Sequence, residues 1–465
     1  MHVSPNNDSR AGTRPADVAE ARIESLNYDG RGVGRVNGKV VFIDGALPGE
    51  TVRLRYLSRH RNYDSGAVQE ILVSSPDRVT PPCPHYGVCG GCSLQHLRPE
   101  AQIGAKQQVL AEQLTRIGKV APETWLPPLT GPVWGYRRRA RLGVRLLSKS
   151  GGVVIGFRER RKSHIANLDT CPVLEPKISS LLPALRGLIA GLSCPDRIPQ
   201  VEIAAGDNFA PGEIGRAGDG APHHATALVF RHLAPLTETD RAQLRGFGAR
   251  HDLQIQLQGD GPESLLPLWP EQAEPLHYDL PEYDVSLRFR PTDFIQANGA
   301  LNQRLVHQAL ELLDLKAGDR VLDLFCGLGN FTLPLARTAG QVLGIEADAD
   351  LVSGARRNAE RNGLANAEFR QADLYATESA AAPWGDFAFN KLLLDPPRDG
   401  AMEIIKRLPA PGAERIVYVS CYPATLARDA QHLVRVHGYR FAAAGVLDMF
   451  PHTSHVESMA LFVRP

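Results

Sequence analysis

The chain has 465 residues, 43% of them hydrophobic and 22% charged, with a formal net charge of +1. That composition excludes fibrous and disordered classes and leaves room for roughly two to four globular domains. No stretch approaches the ~20 apolar residues of a membrane helix, and the opening MHVSPNNDSRAGTR lacks the apolar core of a signal peptide, so a cytoplasmic protein without membrane contact is expected. Seven cysteines, an odd number in such a chain, disfavour a disulfide framework and favour ligand or nucleophile roles. The near-zero net charge argues neither for nor against a polyanionic partner, so local charge must decide.

From Ala21 to about Val73 short alternating strands with Gly-rich turns predict a small β-barrel. Arg31, Arg35, Lys39, Arg53, Arg55, Arg59 and Arg61 can track a phosphate backbone, and Tyr28, Phe42, Tyr56 and Tyr63 can supply stacking faces. Read from the residues alone, these are equally the solvated surface and core of any such barrel. The next segment, PPCPHYGVCGGCSLQH, spaces Cys83, Cys89 and Cys92 as C-x5-C-x2-C in a Pro/Gly-rich loop. Three thiolates wrapped by a short loop suit iron and sulfur better than structural zinc, which usually uses two closely spaced ligand pairs. A fourth ligand is open between Cys171 and Cys194, each followed by proline.

A helix is predicted over Arg98 to Gly118, without evident chemistry. Between Gly131 and Ile165 there are ten basic residues against the single acid Glu159, most of them in YRRRARL and GFRERRK, which flank Gly151-Gly152. Two basic strands side by side would form a stripe for phosphates, with Arg138 and Arg160 as its test positions; a merely solvated face is the plain alternative. From about Pro172 to Arg290 an antiparallel α+β domain is expected.

The last third alternates strands and helices as a doubly wound sheet does. Gly327 and Gly329 follow its first strand, and Glu346 follows Gly327 by 19 residues at the end of the second, where a carboxylate can accept ribose hydroxyls. Cys421, in RIVYVSCYPATLARD, sits at the carboxyl end of a later strand just before a helix, where open α/β sheets do their chemistry.

FIQAN at Phe294 to Asn298, DLFCGLGNFTLPLA at Asp323 to Ala336, IEAD at Ile345 to Asp348, LLLDPPR at Leu392 to Arg398, VYVSC and HVES at His455 to Ser458 together resemble the RNA uracil-C5 methyltransferase family. The resemblance covers nearly the whole chain, loosely between about Pro172 and Arg290. It implies an α/β multidomain protein: a disordered tail over 1–14, a TRAM barrel (OB-like, RNA-binding) over 15–75, a central α+β domain with an iron–sulfur loop and basic hairpin over 76–290, and a Rossmann-like S-adenosylmethionine-dependent methyltransferase domain over 291–465. S-adenosylmethionine is the implied cofactor, with Gln296, Phe325, Asn330, Glu346, Asp373 and Asp395 lining its site. Cys421 is the implied nucleophile, adding to C6 of uracil, and Glu457 the base that takes the C5 proton, on what reads as a penultimate strand. Cys326 matches a structural cysteine. A 4Fe–4S cluster held by Cys83, Cys89, Cys92 and Cys171 is implied, with a structural role. The barrel and the cysteine loop point to the branch acting on 23S ribosomal RNA, at a single-stranded or flipped-out uridine, as a monomer. A uridine of transfer RNA or elsewhere in ribosomal RNA is the alternative substrate, and an RNA-binding iron–sulfur module with an inactive methyltransferase fold is the alternative of a different class.

Overall fold

The computed structural model describes residues 18–147, 151–207, 226–261, 264–376, 382–410 and 412–465. The tail expected over 1–14 lies outside the described residues, as do residues 208–225 of the central domain. Among the described residues no helix is long and apolar enough to cross a membrane.

Five strands, β1 (Val18–Leu26), β2 (Gly32–Val36), β3 (Lys39–Asp44), β4 (Thr51–Arg59) and β5 (Tyr63–Val73), close a barrel in the order β1-β2-β3-β5-β4. Alternation drives it: Ala21, Ile23, Val41, Ile43, Val52 and Leu54 point inward and are buried, while the arginines between them face solvent. Many barrel charges are paired, Arg53 with Glu20 and Glu70, and Lys39 with Asp64. Tyr28 does not face outward as a free stacking platform; its ring packs edge-on against Tyr422, 5.1 Å between centroids.

After the cysteine loop comes α1 (Pro99–Gln113), continued by a π-turn to Gly118, and the short strand β6 (Thr124–Trp125). The central domain comprises β7 (Arg139–Leu146), β8 (Val153–Gly156), α2 (Pro176–Ala190), β9 (Gln200–Ala205), β10 (Thr226–Arg231), α3 (Glu238–His251), β11 (Gln254–Gln258) and β12 (Leu265–Trp269). Its sheet runs β12-β11-β10-β9-β7-β8. β7 and β8 form the expected antiparallel hairpin. The sheet is mixed, however, and not wholly antiparallel: β10 and β11 are parallel, because α3 provides a crossover long enough to bring the chain back in the same direction. A Thr237/Asp240 capping box starts that helix.

A hairpin of β13 (Leu276–Leu280) and β14 (Val285–Phe289) leads into α4 (Gly299–Leu313), β15 (Arg320–Leu324), α5 (Thr332–Ala336), β16 (Gln341–Glu346), α6 (Ala349–Arg361), β17 (Ala367–Gln371), β18 (Lys391–Leu394), α7 (Met402–Ile405), β19 (Arg415–Ser420), α8 (Pro423–Arg435), β20 (Arg440–Leu447) and β21 (Glu457–Val463). The eight-stranded sheet has the order β17-β16-β15-β18-β19-β21-β20-β6. Its first five strands are parallel, and buried apolar layers cover both faces, as βαβ crossovers require. β21 enters antiparallel between β19 and β20. Glu457 therefore opens the last strand of the chain and not a penultimate one; the preceding strand, β20, is rich in alanine and does not announce itself in the sequence.

Candidate active site

At the carboxyl ends of β15, β16, β18 and β19 lies a cleft of about 730 Å³, where a parallel sheet presents its loops to a ligand. Gln296, Phe325, Asn330, Glu346, Asp373 and Asp395 all line it, and so do Cys421 and Glu457.

The turn after β15 brings the backbone to the cleft. Gly327 and Gly329 hold φ of 54° and 92°, which only glycine adopts freely, and Phe325 between them and the strand sits at φ 66°. A left-handed non-glycine residue costs about 1 kcal/mol or more, and such strain concentrates at ligand sites. Glu346 locks the turn: its Oε2 accepts the Gly327 N–H at 3.2 Å, and its Oε1 accepts those of Ala347 and Asp348 at 2.7 and 3.1 Å. A carboxylate fixed by three backbone donors is held ready for a vicinal diol. Asn330 is fixed as firmly. Its Oδ1 accepts from the Tyr278 hydroxyl at 3.0 Å and from Asn302 Nδ2 at 2.8 Å, and its own Nδ2 donates back to Asn302 at 3.0 Å.

Cys421 and Glu457 are brought together by strand register. β19 and β21 pair antiparallel with Ser420 opposite Ser458, so the next residue of one strand end faces the preceding residue of the other. The turn at Cys421 is shaped by Ser420, whose Oγ accepts the Tyr422 N–H at 3.1 Å, and Pro423 then starts α8. Burial and the neighbouring Glu457 and Asp395 carboxylates push the Cys421 thiol up to about 11. Burial, reinforced by Asp395, pushes Glu457 up to about 8, and burial pushes Asp395 to about 7. The cleft thus pairs a protonated thiol with a carboxyl group that changes state near neutral pH, the range in which a group both takes and releases protons readily. Since the Glu457 charge holds the thiol protonated, Glu457→Gln should shift the pH profile of Cys421 alkylation by iodoacetamide to lower pH, followed by peptide mass mapping; an unmoved profile would show that the two groups do not interact.

Two cleft residues lie in motifs quoted above that gave them no role of their own. Arg398 places a guanidinium at the wall, 3.4 Å from His455 Nδ1, and lowers the pKa of both Cys421 and Glu457. Phe294 is 68% exposed at the cleft, an unusual place to leave an aromatic ring in water. Lys106 corrects the expectation that α1 carries no chemistry: it is buried, bonds Asp448 Oδ1 at 2.6 Å and the Phe450 carbonyl at 3.0 Å, and its charge draws Glu457 downward. A lone lysine in a helix gives no signal of this.

Cys83, Cys89, Cys92 and Cys171 line one small pocket, and Cys194 is not among its residues. The cysteine loop is tied to the segment that follows β8 by Gly90 N–H to the Arg158 carbonyl (2.9 Å) and Arg160 N–H to the Val88 carbonyl (2.8 Å). Gly91 and Arg137 line both this pocket and the large cleft, so the two share a wall. Among the described residues no three His, Cys, Asp or Glu side chains are grouped to hold a single metal ion.

Residues 272–464 match the family description "tRNA (Uracil-5-)-methyltransferase", and residues 14–55 match the TRAM domain. The chain is 52% identical to the 23S rRNA (uracil(1939)-C(5))-methyltransferase RlmD of Acidithiobacillus ferrooxidans, over 97% of this chain and 100% of that one. It is likewise 52% identical to the protein of the same name from Thiobacillus denitrificans, over 95% and 99% of the two chains. In fold it is similar to the crystal structure of the Pyrococcus abyssi tRNA (uracil-54, C5)-methyltransferase in complex with S-adenosyl-L-homocysteine, with a TM-score of 0.70 and 26% identity over 96% of this chain and 100% of that one. At 52% identity to relatives matched over nearly their full length, the chain belongs to the RNA uracil-C5 methyltransferase family.

Proposed function

We propose that this S-adenosylmethionine-dependent enzyme methylates C5 of one uridine in 23S ribosomal RNA, with Cys421 as nucleophile and Glu457 as base. The observation that carries the reading is the β19/β21 register, which sets Cys421 beside Glu457 at the end of a cofactor-sized cleft. The two relatives at 52% identity, matched over nearly their full length, are named for uracil 1939 of 23S rRNA, which favours that substrate over transfer RNA.

The residues lining the cleft fit the cofactor: Glu346 would hold its ribose, Asp373 would sit near the adenine, Gln296 and Asp395 would lie near the methionine end and the target base, and Phe325 and Asn330 would complete the lining. Bound S-adenosylmethionine supplies the methyl group as an electrophile. C5 of uracil is too weak a nucleophile to take it unaided. Cys421 gives up its proton to water and its sulfur bonds to C6; the C5=C6 electrons move toward O4 as an enolate, from which C5 becomes nucleophilic. After methylation Glu457 takes the C5 proton, the C5=C6 bond reforms, and the thiolate leaves C6. Phe294, exposed at the mouth, is suited to stack a base drawn out of an RNA loop. With substrate tritiated at uridine C5, tritium should appear in water in step with methylation; methyl transfer without tritium release would move the reaction to another atom.

For the four cysteines we propose a 4Fe–4S cluster. The support is that four thiols surround one pocket without meeting at a point, as ligands of separate irons do. It would brace the loop, the basic hairpin and Cys171 as one surface, and it takes no part in the transfer. Protein purified without oxygen should be brown with about four irons per chain. Cys89→Ser should lower iron content, stability and RNA affinity together; a colourless protein with one zinc would contradict the assignment.

A further inference from the structure

The run Arg137, Arg138, Arg139 reads as part of a phosphate stripe, yet Arg138 is only 3% exposed and faces inward. Burying a guanidinium is costly unless it is paired and hydrogen-bonded; here Nε and Nη1 are engaged, while Nη2 has no hydrogen-bond partner among the described residues. The Arg138 N–H donates to the Ala297 carbonyl at 3.0 Å and its Nε to the Gln296 carbonyl at 3.2 Å. Its Nη1 pairs with Asp207 Oδ1 at 3.5 Å, its own carbonyl accepts the Ala205 N–H at 2.8 Å, and its Cζ lies over the Tyr278 ring, 4.9 Å from the centroid. Arg139 adds Nη2 to the Thr292 carbonyl at 2.9 Å. The segment receiving these bonds, 291–298, has no helix or strand of its own, although it carries Phe294 and Gln296 into the cleft. Tyr278, held under the guanidinium, gives its hydroxyl to Asn330.

We propose that Arg138 is a positioning residue. It clamps the Gln296 segment to the edge of the central sheet and, through Tyr278, sets Asn330, so that the cofactor and uracil groups are aligned by the docking of the domain that bears the basic hairpin. The inference rests on the proposed function for the cofactor roles of Gln296 and Asn330 and for the identity of the RNA substrate. Lysine cannot replace the fork, because a single ammonium cannot serve the Gln296 carbonyl, Asp207 and the ring at once.

The test compares full-length wild type, Arg138→Lys and Tyr278→Phe by thermal unfolding, calorimetric titration with S-adenosylhomocysteine, and binding and turnover of a 23S fragment at several salt concentrations. Arg138→Lys should stay folded, weaken S-adenosylhomocysteine about tenfold and lower kcat about tenfold, as small misplacements of reacting groups do. Its RNA affinity and salt slope should not change. Tyr278→Phe, which keeps the ring and loses the hydroxyl, should show a smaller loss of the same kind. A salt slope lower by about one with cofactor affinity unchanged would make Arg138 a phosphate contact and overturn the proposal. Unchanged cofactor affinity and kcat in both variants would overturn it as well. If wild type bound S-adenosylhomocysteine with this dependence on Arg138 but methylated no 23S fragment, the functional reading would fall and the positioning role would stand.

Discussion

Glu457→Gln should turn the enzyme into a covalent trap. Glu457 acts after methylation, so attack by Cys421 and methyl transfer still occur, while elimination loses its base. Positioned general bases contribute about 10²- to 10⁴-fold, and a slowing of that size leaves the RNA attached through C6. A denaturing gel should show a slow protein–RNA band that needs S-adenosylmethionine. Adding Cys421→Ala should abolish the band, and Cys421→Ala alone should lower turnover by at least about ten-thousandfold, as loss of a nucleophile does, with cofactor binding intact. The active form of the base is the carboxylate, and Glu457 is pushed up to about 8. Single-turnover elimination in the wild type should therefore rise with pH through that region and level off above it. An adduct in the double variant would remove Cys421 from its role; normal turnover in Glu457→Gln would assign the proton to another base.

Glu346→Ala should remove most cofactor affinity. The carboxylate is held by three backbone N–H groups, so its orientation costs nothing when ligand arrives. Two hydrogen bonds from ribose hydroxyls to a charged acceptor contribute about 1.5–3 kcal/mol each, which together amount to a loss of at least about a hundredfold. Titration with S-adenosylhomocysteine should show that loss, with affinity for the 23S fragment nearly unchanged. A change below about threefold would place the ribose elsewhere.

The parallel half of the catalytic sheet was legible because its strands are short apolar runs bounded by glycine and proline. The eight cleft residues were legible through the motifs that carry the family resemblance; Phe325, Glu346, Asp395 and Cys421 lie at or just past the carboxyl ends of parallel strands, whereas Glu457 opens β21 at its amino end. What the sequence hid depends on long-range pairing. The juxtaposition of Cys421 and Glu457 follows from the antiparallel insertion of β21 beside β19, and no local pattern specifies that register. Arg138 shows the opposite failure: a basic run looked like a solvated or RNA-facing stripe, but strand alternation turns its middle member inward, against Gln296 and Tyr278. Lys106 was invisible for the same reason, since its partner Asp448 lies more than three hundred residues away. The mixed central sheet escaped notice because a strand's direction is set by its crossover and not by its own residues.

The most direct test of the account is methyl transfer from labelled S-adenosylmethionine into 23S rRNA fragments and into transfer RNA, with the modified nucleotide identified by mass spectrometry. The account predicts 5-methyluridine at a single uridine of the 23S fragment, and none when Cys421 is alanine. Label found exclusively in transfer RNA, or at an atom other than C5, would contradict it.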